Sequence, residues 1–336
     1  VGLCPKGSAG VSQAANHVLL TGGAGFIGSH VAEALLRRGF RLSVIDSLDD
    51  FYSPAAKRSN LDEVRKSGDF DFFQIDLCDS AALQQAVFES RPDTVIHLAA
   101  RAGVRPSIEN PQLYERVNVG GTVNLLESSR QSGVKRFIFG SSSSVYGITN
   151  RVPFVEDDPG LRPISPYAAT KLAGEFFCHT YAHLYGLATI CLRFFTVYGP
   201  RQRPDLAIRK FATLMDAGKA IPVFGDGSMG RDYTFVDDTV AGVLAALDYQ
   251  FPPGTIPFEV FNLGNSNPVS LNELIGALER VTGKFAIRER QPLQAGDVPI
   301  TWSNIDKSCR LLNYHPATPL VEGLKRLVRW LREEPA

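Results

Sequence analysis

The stretch "LLTGGAGFIGSH", residues 19–30, constrains the fold more than any other. An apolar run leads into Gly22, Gly25 and Gly28 at three-residue intervals, and a helical pattern opens at Phe26. Strand, tight turn and helix in that order suit a pyrophosphate. Gly22 permits the turn, Gly25 lets backbone N–H groups approach the anion, and Gly28 lets helix and strand pack closely. The helix N-terminus adds its own attraction for negative charge. The next apolar run, "RLSVID", ends on Asp46. An acid there accepts from ribose hydroxyls and repels a 2′-phosphate, which points to NAD rather than NADP. Asp76 in "FQIDLCD" ends a third run and is placed either to touch the adenine or to cap the helix that follows.

Beyond the turn, short β-branched runs alternate with helical patterns as far as "ATICLRFFTVYG". One of those helical patterns covers Pro111 to Gln131 without interruption, and another covers Pro166 to Tyr185. Such alternation predicts an α/β fold: a doubly wound parallel sheet of the Rossmann type, covered on both faces. After Gly199 prolines and glycines cluster between shorter helices, which predicts a smaller, loop-rich C-terminal substrate lobe. The expected division is residues 16–196, with 232–264 returning, for the dinucleotide-binding domain. Residues 197–231 and 265–336 then form the substrate lobe, and residues 1–15 a disordered leader. Lys+Arg and Asp+Glu both number 35, so no net charge draws the chain to nucleic acid or to a membrane surface. No apolar run approaches the roughly 20 residues that span a bilayer. The cysteines (Cys4, Cys78, Cys178, Cys191, Cys309) form no CxxC pair and no metal-like spacing, so no metal site is expected. They read as reduced thiols of a cytoplasmic protein.

"SPYAATKLAGEFF" places Tyr167 and Lys171 four residues apart on one helix face. A cation beside a phenol lowers the phenol's ordinary pKa of about 10, which makes a phenolate base accessible. Oxidation of an alcohol by NAD needs such a base for the hydroxyl proton. Lys171 is also placed to hold the nicotinamide ribose. Upstream, "FGSSSSVYG" puts Ser141 to Ser144 where a buried strand ends.

Together "TGGAGFIG", "VIHLAA", "SSSSVYG", "YAATK" and "RFFTVYGPRQRPD" resemble the extended short-chain dehydrogenase/reductase family, in its nucleotide-sugar epimerase and dehydratase branch. "DDFYSPAAKRSNL", "AARAGVRPSIENP" and "LQAGDVPITWSNI" look like the UDP-glucuronate 4-epimerase group within it. The resemblance implies a tightly bound NAD, regenerated each turnover, in a site of Gly22, Gly25, Phe26, Ile27, Gly28, Asp46, Asp76, Leu77, Leu98, Ala99, Ala100, Asn118, Tyr167 and Lys171. It implies Ser142 as the hydroxyl shared between the sugar O4 and Tyr167. Ser143 and Ser144 stand where related dehydratases carry an Asp and a Glu, and decarboxylases a Glu, so those reactions lack their carboxylates here. Ser141 is expected to support the backbone. Thr196 and Arg203 look like ligands of a C6 carboxylate, a planar fork for a planar anion. Arg231, Arg105 and Asp297 complete the substrate set, toward the UDP. Gln294 replaces an expected Arg, with Arg288 or Arg290 as substitutes. His97 and Tyr198 are expected to be packing residues. The implied reaction interconverts UDP-glucuronate and UDP-galacturonate by transient oxidation at C4. The alternatives are a UDP-glucose/UDP-galactose 4-epimerase or a UDP-glucuronate decarboxylase. The resemblance also implies a homodimer through a four-helix bundle.

Overall fold

The computed structural model describes residues 16–149, 151–294 and 296–333. The expected leader, 1–15, lies outside them.

Seven parallel strands form the central sheet: β1 (His17–Thr21), β2 (Arg41–Ile45), β3 (Asp71–Phe73), β4 (Thr94–His97), β5 (Arg136–Ser142), β6 (Ala188–Phe194) and β10 (Phe258–Leu263). Their spatial order is β10-β6-β5-β4-β1-β2-β3. The order reverses between β1 and β4, and a doubly wound sheet binds its ligand in the crevice outside the strand ends at that point. The strands are apolar along nearly their whole length because helices cover both faces. Those helices are α1 (Phe26–Arg37), α2 (Pro54–Arg65), α3 (Ser80–Ser90), α4 (Val104–Glu109), α5 (Pro111–Tyr114), α6 (Gly121–Gln131), α7 (Pro166–Tyr185) and α9 (Val236–Asp248).

Two small sheets build the second lobe. In one, β9 (Gly230–Phe235) lies between β7 (Thr196–Tyr198) and β11 (Pro268–Ser270); the other pairs β8 (Ile221–Phe224) with β12 (Arg288–Gln291). Helices α8 (Ala207–Asp216), α10 (Leu271–Thr282), α11 (Asp306–Leu312) and α12 (Leu320–Glu333) surround them. Of the returning segment 232–264, β10 joins the central sheet on β6 and α9 packs on α1, whereas β9 pairs with β7 and stays in the second lobe.

Two local features differ from the sequence pattern or explain it. The stretch expected as one helix from Pro111 to Gln131 is broken by a π-helical turn at Glu115–Gly120. That wider turn carries Asn118 inward, where its carboxamide bonds the backbone of Arg101 and the hydroxyl of Thr170. Helix α7 starts at a Ser165 cap that accepts from Ala168 N–H, with Pro166 at its first position. It lies close on β5: a Cβ at Gly174 would sit 2.4 Å from the Phe139 ring. This approach lets Lys171 reach the strand.

Candidate active site

The strand ends open into a cavity of about 510 Å³. Its lining includes Gly22, Gly25, Phe26, Ile27, Gly28, Asp46, Asp76, Leu77, Leu98, Ala99 and Ala100, together with Ser141 to Ser144, Tyr167, Lys171, Thr196 and Arg203. A smaller cavity of about 140 Å³ adjoins it, lined by Arg231, Asp297 and Thr301 among others. Val104, Ser143, Ser144 and Thr196 line both, so the serine pair is part of the shared wall.

The glycine turn fits a dinucleotide. Gly22 has a φ of 74°, and a Cβ there would lie 2.6 Å from Ala99 N; one at Gly28 would lie 2.0 Å from Gly22 O. Asp46 is buried at the end of β2, where it accepts from Ala24 N at 3.1 Å and Leu48 N at 2.9 Å. Burial raises its pKa, and these bonds pull it back. The Tyr52 hydroxyl is buried in the same wall without a partner, facing the turn at 4.0 Å from a Cβ built on Gly25. A dinucleotide phosphate or ribose would satisfy it. Asp76 bonds Cys78 N in its own turn; the helix cap is Asp79, which leaves Asp76 facing the cavity.

Tyr167 and Lys171 share the face of α7 turned to the serine run. Lys171 donates to Gly140 O at 2.7 Å, and burial lowers its pKa to about 8. Tyr167 differs from expectation: burial raises its phenol pKa, and the groups that pull it down are Ser142, by a hydrogen bond, and the Arg203 guanidinium. The Lys171 ammonium is turned toward the strand carbonyl. The four serines separate. Ser142 lies beside Tyr167, its Oγ 3.1 Å from Ser144 Oγ. Ser141 does more than support the backbone: it points into the protein and donates to Glu175 at 2.5 Å.

Arg203 projects from the loop after β7. Arg201 pairs with Glu33 of α1, His30 contacts Pro200 O at 3.1 Å, and Gln202 donates to Val197 O at 3.1 Å, so this loop is tied down. Arg231 and Asp297 come together at 4.0 Å, with Arg105 donating to Asp297 at 3.2 Å. Arg105 itself stands outside both linings, 4.8 Å from the Phe224 ring. Asn118 is behind the cavity wall, not in it. Arg288 and Arg290 lie on β12 and line neither cavity. His97 is buried between Thr21 and Thr122, its pKa lowered to about 3 by burial, and Tyr198 is buried in the core.

The lining residues that escaped the sequence reading include Asp49, Phe51, Tyr52, Lys57 and Arg101. Arg101 pairs with Asp49, and Phe51 lies under two guanidiniums, 5.4 Å from Arg101 and 5.1 Å from Arg203. The signal for Asp49, Phe51 and Tyr52 is the run of acids and aromatics directly after Asp46.

Fold and glycine turn define a dinucleotide-dependent enzyme. The chain belongs to the NAD dependent epimerase/dehydratase family, whose sequence profile matches residues 18–264. It is 45% identical over 319 residues to a UDP-glucuronate 4-epimerase of Thermodesulfobacterium geofontis (strain OPF15), covering 94% of this chain and 96% of that one. Among solved structures it resembles UDP-glucuronic acid 4-epimerase from Bacillus cereus in complex with UDP-glucuronic acid and NAD, with TM-score 0.87 and 35% identity over 94% of this chain and 99% of that one. UDP-glucose 4-epimerase from Thermotoga maritima with UDP-glucose follows, with TM-score 0.86 and 34% identity over the same shares.

Proposed function

We propose that the protein is an NAD-dependent 4-epimerase that interconverts UDP-glucuronate and UDP-galacturonate. The observation that carries this reading is Arg203 in the same cavity as Tyr167 and Ser142: an anion fork beside a proton-transfer pair. The names of the T. geofontis and B. cereus relatives support it.

NAD, when bound along Gly22–Gly28 and Asp46, supplies the acceptor and donor for the hydride of sugar C4. Tyr167, as phenolate, takes the O4 proton beside or through Ser142. Lys171 holds the β5 end through Gly140 O and would hold the nicotinamide ribose when NAD is bound. The sugar becomes a 4-keto-hexuronate, a β-keto acid. Such an acid loses carbon dioxide when its carboxylate bond stands perpendicular to the carbonyl plane. Arg203, Thr196 and the Ser143–Ser144 wall hold the carboxylate away from that geometry, and each 1.4 kcal/mol of added barrier slows the leak about tenfold. Arg231 and Asp297 hold the UDP end. The ring turns about its diphosphate linkage, and Tyr167 returns the proton to the inverted alcohol.

Incubation with UDP-glucuronate and no added NAD is expected to yield UDP-galacturonate. A pentose product would replace this reading with the decarboxylase, and turnover of UDP-glucose alone with the neutral-sugar epimerase. Arg203→Ala should raise the KM for UDP-glucuronate about tenfold to a hundredfold, the worth of one charge-assisted bond. An unchanged KM removes the carboxylate role.

Among the described residues no helix is long and apolar enough to cross a membrane. We place the enzyme in the cytoplasm, where Cys178 and Cys191, free thiols of the core, stay reduced. We also read α6 and α7 as a dimer face, because α7 leaves Phe176 63% and Leu184 60% exposed. Light scattering should give the mass of two chains; the mass of one at micromolar concentration removes this reading.

A further inference from the structure

Arg203 is already paired. Its Nε donates to Asp205 Oδ1 at 3.0 Å and its Nη2 to Asp205 Oδ2 at 2.8 Å, a two-pronged grip. The Arg203 side chain is 13% exposed and lines the cavity; Asp205 is 48% exposed and stands outside it. The guanidinium also lies 5.1 Å from the Phe51 ring, which restrains its plane. A guanidinium has two edges that can grip a carboxylate with two bonds, and both use one Nη. A carboxylate arriving from the cavity therefore shares Nη2 with Asp205 or takes Arg203 from it.

We propose that Asp205 is a specificity-determining residue, a resident carboxylate that holds Arg203 until the carboxylate of a sugar acid replaces or joins it. This rests on the uronate reading above. Two effects of removing the Asp205 charge oppose each other. Arg203 gains freedom, which weakens binding by about twofold to tenfold for one ordered side chain. Repulsion between two carboxylates on one guanidinium is relieved, which at a surface-like dielectric strengthens binding by about tenfold to a hundredfold. The Phe51 stack and the tied loop keep the first effect small, so the second wins. A neutral hexose leaves the Arg203–Asp205 pair intact and gains nothing from its loss. Asp205 thus lowers the affinity for both anionic sugars, eases their release, and keeps Arg203 paired while the ring turns between its two poses.

The test is calorimetric titration of UDP-glucuronate and UDP-glucose into NAD-loaded Tyr167→Phe protein, with and without Asp205→Asn. The expected result is uronate binding tightened about tenfold, with UDP-glucose binding moved less than about twofold. In the active enzyme, Asp205→Asn should lower the KM for UDP-glucuronate without raising kcat. Uronate binding that is unchanged or weaker overturns the proposal, as does equal tightening of both ligands. Should Asp205→Asn fail to fold, Asp205→Ser gives the same readings. Arg203→Ala, titrated alongside, separates two failures. If it leaves uronate binding unchanged, the carboxylate role of Arg203 is wrong. If it weakens uronate binding while Asp205→Asn does not tighten it, only the role of Asp205 is wrong.

Discussion

Tyr167→Phe is expected to lower epimerisation by about 10²- to 10⁴-fold, the usual worth of a positioned acid–base group. The purified variant should still carry its NAD, because the glycine turn and the buried Asp46 are left untouched. Removing one oxygen leaves the edge-on packing of the ring against Tyr114 in place. The phenol is buried and its pKa raised, so the wild-type enzyme depends on local help to ionise it. Arg203 is part of that help, which makes a second reading available. Arg203→Ala should move the limb of the pH–rate profile assigned to Tyr167 upward, since a nearby cation favours the phenolate. The Phe variant is checked by product chromatography together with cofactor released on denaturation. Near-normal turnover would remove Tyr167 from the chemistry, and NAD-free protein would show that the substitution acted on the fold.

Glu175→Ala should destabilise the protein by about 3–5 kcal/mol, the cost of stranding one member of a buried ion pair. Glu175 accepts from Arg193 at 2.9 Å and 2.7 Å and from Ser141 at 2.5 Å, with both charged side chains 4% exposed or less. Arg193 donates onward to Tyr146 at 2.9 Å and Glu156 O at 3.1 Å, and Tyr146 donates to Asn262 at 2.7 Å. Loss of Glu175 leaves a guanidinium and a serine hydroxyl buried with too few acceptors. Glu175→Leu with Arg193→Met should be less damaging than either change alone, because no charge is then left unpaired. Denaturant midpoints for the three variants decide it. A single-variant loss below about 1 kcal/mol would mean that water reaches the pair.

What could be read from the sequence was local. The turn at Gly22–Gly28, the acid at the end of β2 and the Tyr167–Lys171 spacing each need only neighbours in the chain, and strand and helix periods carried the sheet. What could not be read comes from loops meeting in space. The stack of Arg101, Phe51 and Arg203 joins three loops spread over about half the chain. Nor does the sequence show that the π-helical turn at Glu115–Gly120 brings the Asn118 carboxamide onto the Arg101 backbone. The Tyr167–Lys171 spacing says nothing of the Gly140 carbonyl that draws the Lys171 ammonium to the strand. β9 reads as another sheet strand by composition, yet pairs with β7, while β10, later in the chain, returns to the central sheet.

The chain of buried bonds from Ser141 to Asn262 has a mechanical consequence. Asn262 ends it by donating to Phe154 O and Asn304 O, so the floor under the reacting serine is one piece fastened to segments well outside the sheet. An enzyme that must meet both faces of a ring can move its walls or let the ring move. This floor is bolted down in too many places for the first choice. On the epimerase reading proposed above, the turning is left to the passenger, and the vessel's share of the work is to stay still.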